Sequence, residues 1–481
     1  MQRKKKIKFF RIYDSLSHIE KKQFHSFLKL SFVPKVGVSK IILNHMKSNS
    51  DLSQYLNSNF SPRSVWNICS ELTKPIEQFL AVKELLGDGK EISVLMRRQM
   101  NKRDLDTLLE HEYKNAISKL LSSKMNDTTL REIKENSLRL LYLSLKTGDS
   151  RLKKQAFNMY HNFYSLNFLF ETILVMTGIE VTNFINEKLE VPLMEKIFPM
   201  LNYDGILKVI KKQFPDFYPV IKLHFDIYKL LEKGSSGSYR KTSDAFFGMM
   251  DKFSDKYKTQ IFEILLECLI RNEDLSKDEV DREMFELLSK KVEAGLVYDL
   301  SEYRIGFNHF RDNILIALKV GETEWAEMFV SEFSYLLPEK QRMNDVNTAW
   351  AFISLSKGNY HETLKFISNV RRTYSTHYHD FFRISAKANF ELGNYDECFS
   401  ISEKYRDYLR RTEKSGMQYV SGSKMFLKNF KRLVNYKLSS NVKYLNQIEY
   451  DLQKSTSYSE NIWIEKKLNE NINRKVSRKA I

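Results

Sequence analysis

A chain of 481 residues is too long for one ordinary core, and its 16 Gly and 8 Pro are less than half the average share. That excludes a loop-rich or low-complexity protein and favours long helices joined by short turns. Hydrophobic residues at 42%, with 33 Phe and 25 Tyr, exclude disorder and supply a large core, while the net charge of +17 sits at the two ends.

Residues 1–50 hold 12 Lys/Arg and 2 Asp/Glu, residues 421–481 hold 13 and 5, and the stretch between is close to neutral. Basic ends of this kind attract phosphate, anionic lipid or acidic protein surface, and they also serve simply to keep a chain soluble. The start, MQRKKKIKFFRIYD, lacks the apolar stretch of a signal peptide. Within residues 15–85, Ser17 and Glu20 form a capping box ahead of Phe24, Phe27 and Leu28 at helical spacing. Ser61 with Pro62 starts a helix carrying Val65, Ile68, Cys69 and Leu72, which Pro75 is expected to bend or restart before Phe79 and Leu80. Gly87 and Gly89 in LLGDGKE mark the turn that closes a helical N-terminal domain, residues 1–90.

Residues 91–300 continue as a helical hairpin array, with connectors at LSSKMNDTTL, KTGDSR, KGSSGSYR and RNEDLSKDEV. The longest apolar run, NFLFETILVMTGIE, is interrupted by Glu171 and is too short to span a bilayer, so a soluble cytoplasmic protein is expected. Cys69, Cys268 and Cys398 lie far apart with no paired spacing for zinc or redox chemistry, which suits a reducing compartment.

Residues 301–440 carry an internal repeat. FELGNYDECF repeats the Gly-Asn-Tyr of LSKGNYHETL, so Gly393, Tyr395 and Glu397 echo Gly358, Tyr360 and Glu362 at a spacing of 35, and LKVGETEWAEMF places Gly321 37 residues before Gly358. Ala326, Thr363 and Cys398 share one register position, and Ile314, Ala351 and Ala386 share another. The pattern resembles the tetratricopeptide repeat, a helix pair of about 34 residues with Gly and an aromatic residue at its turn. Thr323 in place of the aromatic, Ile314 in place of a small residue, and a single Pro338 after the second helix make the units degenerate. The fold expected is all-α, an α-solenoid of antiparallel helix pairs that is tetratricopeptide-like in its C-terminal half, closed by helices and a basic tail at residues 441–481.

More of the chain carries a likeness: EKKQFHSFLKLSF near the start, SELTKPIEQFL, FNHFRDNILIALKVGETEWAEMFVSEFSYLLP, YRDYLRR, KNFKRLVNYKL and IWIEKKL. Together these resemble an uncharacterised bacterial family of all-helical proteins with degenerate tetratricopeptide-like repeats. The resemblance implies fold and brings no catalytic residues with it.

No catalytic signature stands out, and a non-enzymatic role is expected, with no cofactor or metal. His111-Glu112 and His361-Glu362 lack the second His of a zinc-protease helix, with Asn115 and Lys365 in its place. His377, His379 and Asp380 in THYHD fall in an expected loop between two units, where polar residues are ordinary. His18 and His25 share a helix face, and GDGK at 87–90 lacks phosphate-loop spacing.

The glycine register instead assigns a concave face to the first helix of each unit. It comprises Asn308, Arg311, Leu315, Leu318 and Lys319; then Asp345, Thr348, Phe352 and Leu355; then Asp380, Arg383, Lys387 and Phe390. Arg311, Lys319, Arg383 and Lys387, with Phe352 and Phe390 as apolar contacts, suit an acidic peptide or a C-terminal carboxylate. The expected function is a scaffold or adaptor that binds a protein or peptide there. The alternative is nucleic-acid or anionic-surface binding through Arg3, Lys4, Lys5, Lys6 and Lys8, with Arg474, Lys475, Arg478 and Lys479.

Overall fold

The computed structural model describes residues 7–30, 52–87, 89–185, 193–233, 236–272, 274–298, 304–372, 375–412, 420–454 and 462–479. Among these the chain is all-helical: 23 α-helices and three short 3₁₀ turns, with no strand and one isolated bridge between Met125 and Phe253. The chain divides into two compact units, one of residues 1–122 and 131–164, the other of residues 123–130 and 165–481.

The first unit is built on α1 (Lys8–Ser15), α2 (His18–Phe27), α3 (Leu52–Asn59) and α4 (Pro62–Gly87), followed by α5 (Gly89–Lys102), α6 (Asp106–Ser122) and α7 (Thr129–Thr147). The expected capping box is present: Ser17 Oγ accepts from the Glu20 amide and the Ser17 amide donates to the Glu20 carboxylate. It starts α2 so that Phe24, Phe27 and Leu28 enter a core with Phe9, Phe10, Leu56, Ile68, Leu72, Ile76 and Phe79. His25 is buried there as well, with Nε2 3.1 Å from the Tyr13 hydroxyl, whereas His18 on the same helix is exposed. α4 runs through Pro75 as one helix, against the expectation of a restart. α1, α2 and α3 all pack along it and hold both halves in line. Gly87 and Gly89, expected at a turn, are the last residue of α4 and the first of α5; both lie within the first unit, and the division falls later, inside α8 (Ser150–Ile185).

At 36 residues α8 extends well beyond the apolar run within it. By length and composition it is one helix that can cross a membrane, with 44% of its most apolar window buried in the protein.

In the second unit α9 (Leu193–Ile197), α10 (Tyr203–Gln213), α11 (Tyr218–Lys233), α12 (Ser236–Phe247), α13 (Asp255–Ile270) and α14 (Lys277–Glu293) precede three helix pairs. These are α15 (Phe307–Val320) with α16 (Thr323–Phe333), α17 (Arg342–Ser356) with α18 (Tyr360–Ser368), and α19 (Ser375–Glu391) with α20 (Tyr395–Thr412). α21 (Val420–Ser439), α22 (Lys443–Gln453) and α23 (Ile462–Lys479) follow.

The three pairs turn on one backbone motif. Gly321, Gly358 and Gly393 adopt φ of 91°, 78° and 76°, a conformation that costs a side-chain-bearing residue more than Gly. After each, the next amide reaches back to close the helix: Glu322 N–H to Ala317 O, Asn359 N–H to Ser354 O and Asn394 N–H to Asn389 O, each 2.9 Å. Thr323 forms the same short turn as Tyr360 and Tyr395, so backbone geometry sets the hairpin and the tyrosines pack around it. The register positions behave alike: Ala326, Thr363 and Cys398 are all fully buried, as are Ile314 and Ala351, with Ala386 nearly so.

Candidate functional site

An open groove of about 1500 Å³ lies wholly within the second unit. Its lining is drawn from α15, α17 and α19, from α13 and α14 at one end, and from the start of α23 at the other. Of the thirteen positions that the register turns inward, ten line it, among them Arg311, Lys319, Phe352, Arg383 and Lys387. Phe390 does not. It is a correction to the expected contact set: α23 covers its face, Trp463 meets its ring edge-on at 5.4 Å, and it packs in the core with Phe430 and Tyr395. Asp345 and Thr348 are buried too, because the following pair closes over the first turns of α17.

The expectation of a loop at THYHD is also corrected. Residues 376–380 lie in the first turns of α19, and the buried polar side chains there each find a partner from another helix. His377 Nε2 is 3.0 Å from Asp345 Oδ1 on α17, and the ring of Phe307 stands 4.4 Å away. His379 Nδ1 is 2.8 Å from the Tyr405 hydroxyl on α20. Burial, and then the nearby Arg383, push the His379 imidazole down to about 4. The two imidazoles thus serve different partners, and among the described residues no group of His, Cys, Asp or Glu is arranged to hold a metal ion.

Asp380 is the floor of the groove. Arg311 on α15 reaches past α17 and donates twice to it, Nε to Oδ2 at 2.5 Å and Nη2 to Oδ1 at 2.7 Å. The guanidinium also lies over the Phe352 ring at 5.6 Å, and Asp380 holds the Arg311 cation more firmly protonated. Lys319 pairs with Asp281 on α14 at 3.0 Å. On the α19 wall, Arg383 Nη2 donates to Ser423 Oγ at 2.7 Å and its guanidinium stands 6.0 Å from the Phe426 ring; Lys387 Nζ is 5.8 Å from the rings of both Phe426 and Trp463.

The lining contributed by α13, α14 and α23 was not read from the repeat register. α23 supplies Ile462, Trp463, Lys466 and Lys467, and Lys467 pairs with Glu391 at 2.8 Å. The only local sign of it was the aromatic-basic stretch IWIEKKL. Across the whole lining, nine Lys/Arg face four Asp/Glu alongside leucines and aromatic rings. Such a lining offers mainly cationic hydrogen-bond donors beside apolar surface.

Arg3, Lys4, Lys5 and Lys6 fall outside the described residues, as do the side chains of Arg474, Lys475, Arg478 and Lys479, while Lys8 pairs with Glu77 on α4. The three cysteines are buried and free, with burial pushing each thiol up to about 12. Compared with protein-family models, with curated proteins and with solved structures, the chain finds no match.

Proposed function

We propose that the chain is a non-enzymatic helical-repeat scaffold that binds a protein or peptide segment along the groove face of α15, α17 and α19. In this reading the three pairs stack as a degenerate tetratricopeptide-like solenoid, which the shared glycine turns and the common buried register positions support. The observation that carries it is the groove. At about 1500 Å³ it exceeds the range of roughly 300–1,000 Å³ typical of small-molecule sites, and it draws on the first helix of every pair.

The test is recovery of a partner by the tagged full-length chain from its own cells, with Leu318→Asp and Leu355→Asp placed in the groove. Loss of a stoichiometric band in both variants, with the fold intact by circular dichroism, supports the reading. Undiminished recovery overturns it, and nuclease-sensitive ultraviolet absorbance in place of a protein band points to the basic ends instead.

A further inference from the structure

A second cavity, of about 210 Å³, is lined by α12 and α14 of the second unit and shares no lining residue with the groove. Tyr239, Ser243 and Phe247 recur every fourth residue along α12 and so share the side that meets it. Glu283 and Leu287 bear the same relation on α14, with Glu286 beside them. Three carboxylates, those of Asp244, Glu283 and Glu286, therefore line the cavity against one cation, Arg240, whose guanidinium donates to Glu283 at 2.6 Å. The other cations on these two faces lie outside the lining: Lys290 pairs with Glu293 at 3.0 Å, the charge of Arg282 acts on Glu279, and Lys241 is exposed.

The floor of the cavity is polar and incompletely bonded. Tyr239 is only 2% exposed, yet its hydroxyl has no hydrogen-bond partner among the described residues, and buried polar groups are rarely left so. Burial, then the negative charge of Glu283, with Cys268 and Glu286 adding to it, holds the phenol well above its ordinary range. The hydroxyl thus keeps its proton and stands in the field of two of the carboxylates that line the cavity. Beside it the buried Ser243 Oγ donates to the Arg240 carbonyl at 3.0 Å and keeps its lone pairs for a donor, and the Glu283 side chain is 13% exposed. Asp244 and Glu286 are exposed and stand at the mouth.

We infer that this cavity binds a primary alkylammonium. Such a group carries three N–H donors and no acceptor, which matches a floor whose phenol oxygen, Ser243 Oγ and Glu283 carboxylate all accept. The excess of carboxylates repels an anion, and a quaternary ammonium brings the charge without the donors. The cavity is smaller than the roughly 300–1,000 Å³ of ordinary small-molecule sites, so it admits a short chain whose methylenes lie against Phe247 and Leu287. A second ammonium on that chain reaches Asp244 and Glu286 at the mouth. A free diamine and a lysine side chain present the same ammonium to the floor.

The experiment titrates the full-length chain by calorimetry with putrescine, butylamine, Nα-acetyl-lysine methylamide, tetramethylammonium and butyrate. Saturable binding of the three primary amines is expected, and none of the last two. Putrescine the tighter identifies a free diamine as the ligand; the lysine derivative the tighter identifies a lysine side chain. Asp244→Asn/Glu286→Gln, which alters only exposed carboxylates, should weaken putrescine about fivefold, as for the loss of two exposed ion pairs. Tyr239→Phe should weaken every amine about tenfold, as for a hydrogen bond to a charged group, yet leave the melting temperature unchanged or raised because the hydroxyl has no partner to lose. Should Tyr239→Phe fail to fold, the double variant decides alone. No saturable binding of any amine, tetramethylammonium bound as tightly as butylamine, or affinities unchanged in the variants would overturn the assignment.

Discussion

Replacing Asp380 by Ala removes the carboxylate on which the Arg311 guanidinium rests. Both donors lie within hydrogen-bond distance, and the side chains are 2% and 19% exposed, so the pair is largely out of water. Two unit charges about 4 Å apart at an effective dielectric constant of about 20 attract by about 4 kcal/mol, and removing one partner of a buried pair costs about 3–5 kcal/mol. Arg311 keeps a second acceptor, Asp312 at 3.1 Å, which places the expected loss near the lower end, about 3 kcal/mol. At roughly 1.5 °C per kcal/mol for a unit of more than 300 residues, the melting transition of the second unit should fall by about 4–5 °C. Calorimetry measures the shift, and hydrogen exchange locates it: amides of α15 and α19 should lose protection together. The double replacement Arg311→Met/Asp380→Leu, which leaves no buried charge, should recover most of the loss. A shift below about 2 °C for Asp380→Ala, or a double variant no better than the single, would refute the reasoning.

Gly358→Ala should cost about 1–2 kcal/mol, because φ of 78° is left-handed backbone, and Gly358→Asn should cost less; equal urea midpoints for the two would remove the argument. His224 is buried against Phe170 with Nε2 2.8 Å from the Tyr257 hydroxyl, and burial pushes it down to about 3. The unfolded chain takes up this proton near pH 6.5 and the folded one only near 3, so stability present above 6.5 is lost as pH falls between them. His224→Gln should flatten the decline of the urea midpoint between pH 7 and 4, and an unchanged slope would exclude His224 as its source. Cys69, Cys268 and Cys398 should resist iodoacetamide at pH 8 in the folded protein and react fully in denaturant, as read by mass spectrometry.

What the sequence revealed is what local backbone chemistry decides. Ser17 with Glu20 announced a helix start through groups three residues apart, and three glycines in phase announced three identical turns. The face of α15 was legible for the same reason, since periodicity fixes which side chains share a side. The first turn of α19 was not. Its histidines and aspartate resemble a polar loop because their partners, Asp345, Tyr405 and Arg311, lie 26 to 69 residues away. Phe390 fails for a related reason: periodicity gives its direction correctly, but nothing near it in sequence says that a helix some seventy residues later covers that side. The two ends of the groove were missed because the glycine register stops short of them.

The Arg311–Asp380 bridge is not isolated. Phe307 meets His377 and Asn308 meets Thr376 between the same two helices, so the first and third pairs are fastened to each other past the second. In an array where each repeat touches only its neighbours, a pair can be duplicated or deleted and the ends rejoined. Here the middle pair is trapped: excising it would leave the flanking helices out of register with the contacts that join them, and inserting another would pull those contacts apart. These six helices therefore gain or lose length only as a block, and sequence change along this stretch is expected to proceed by substitution within a fixed number of pairs.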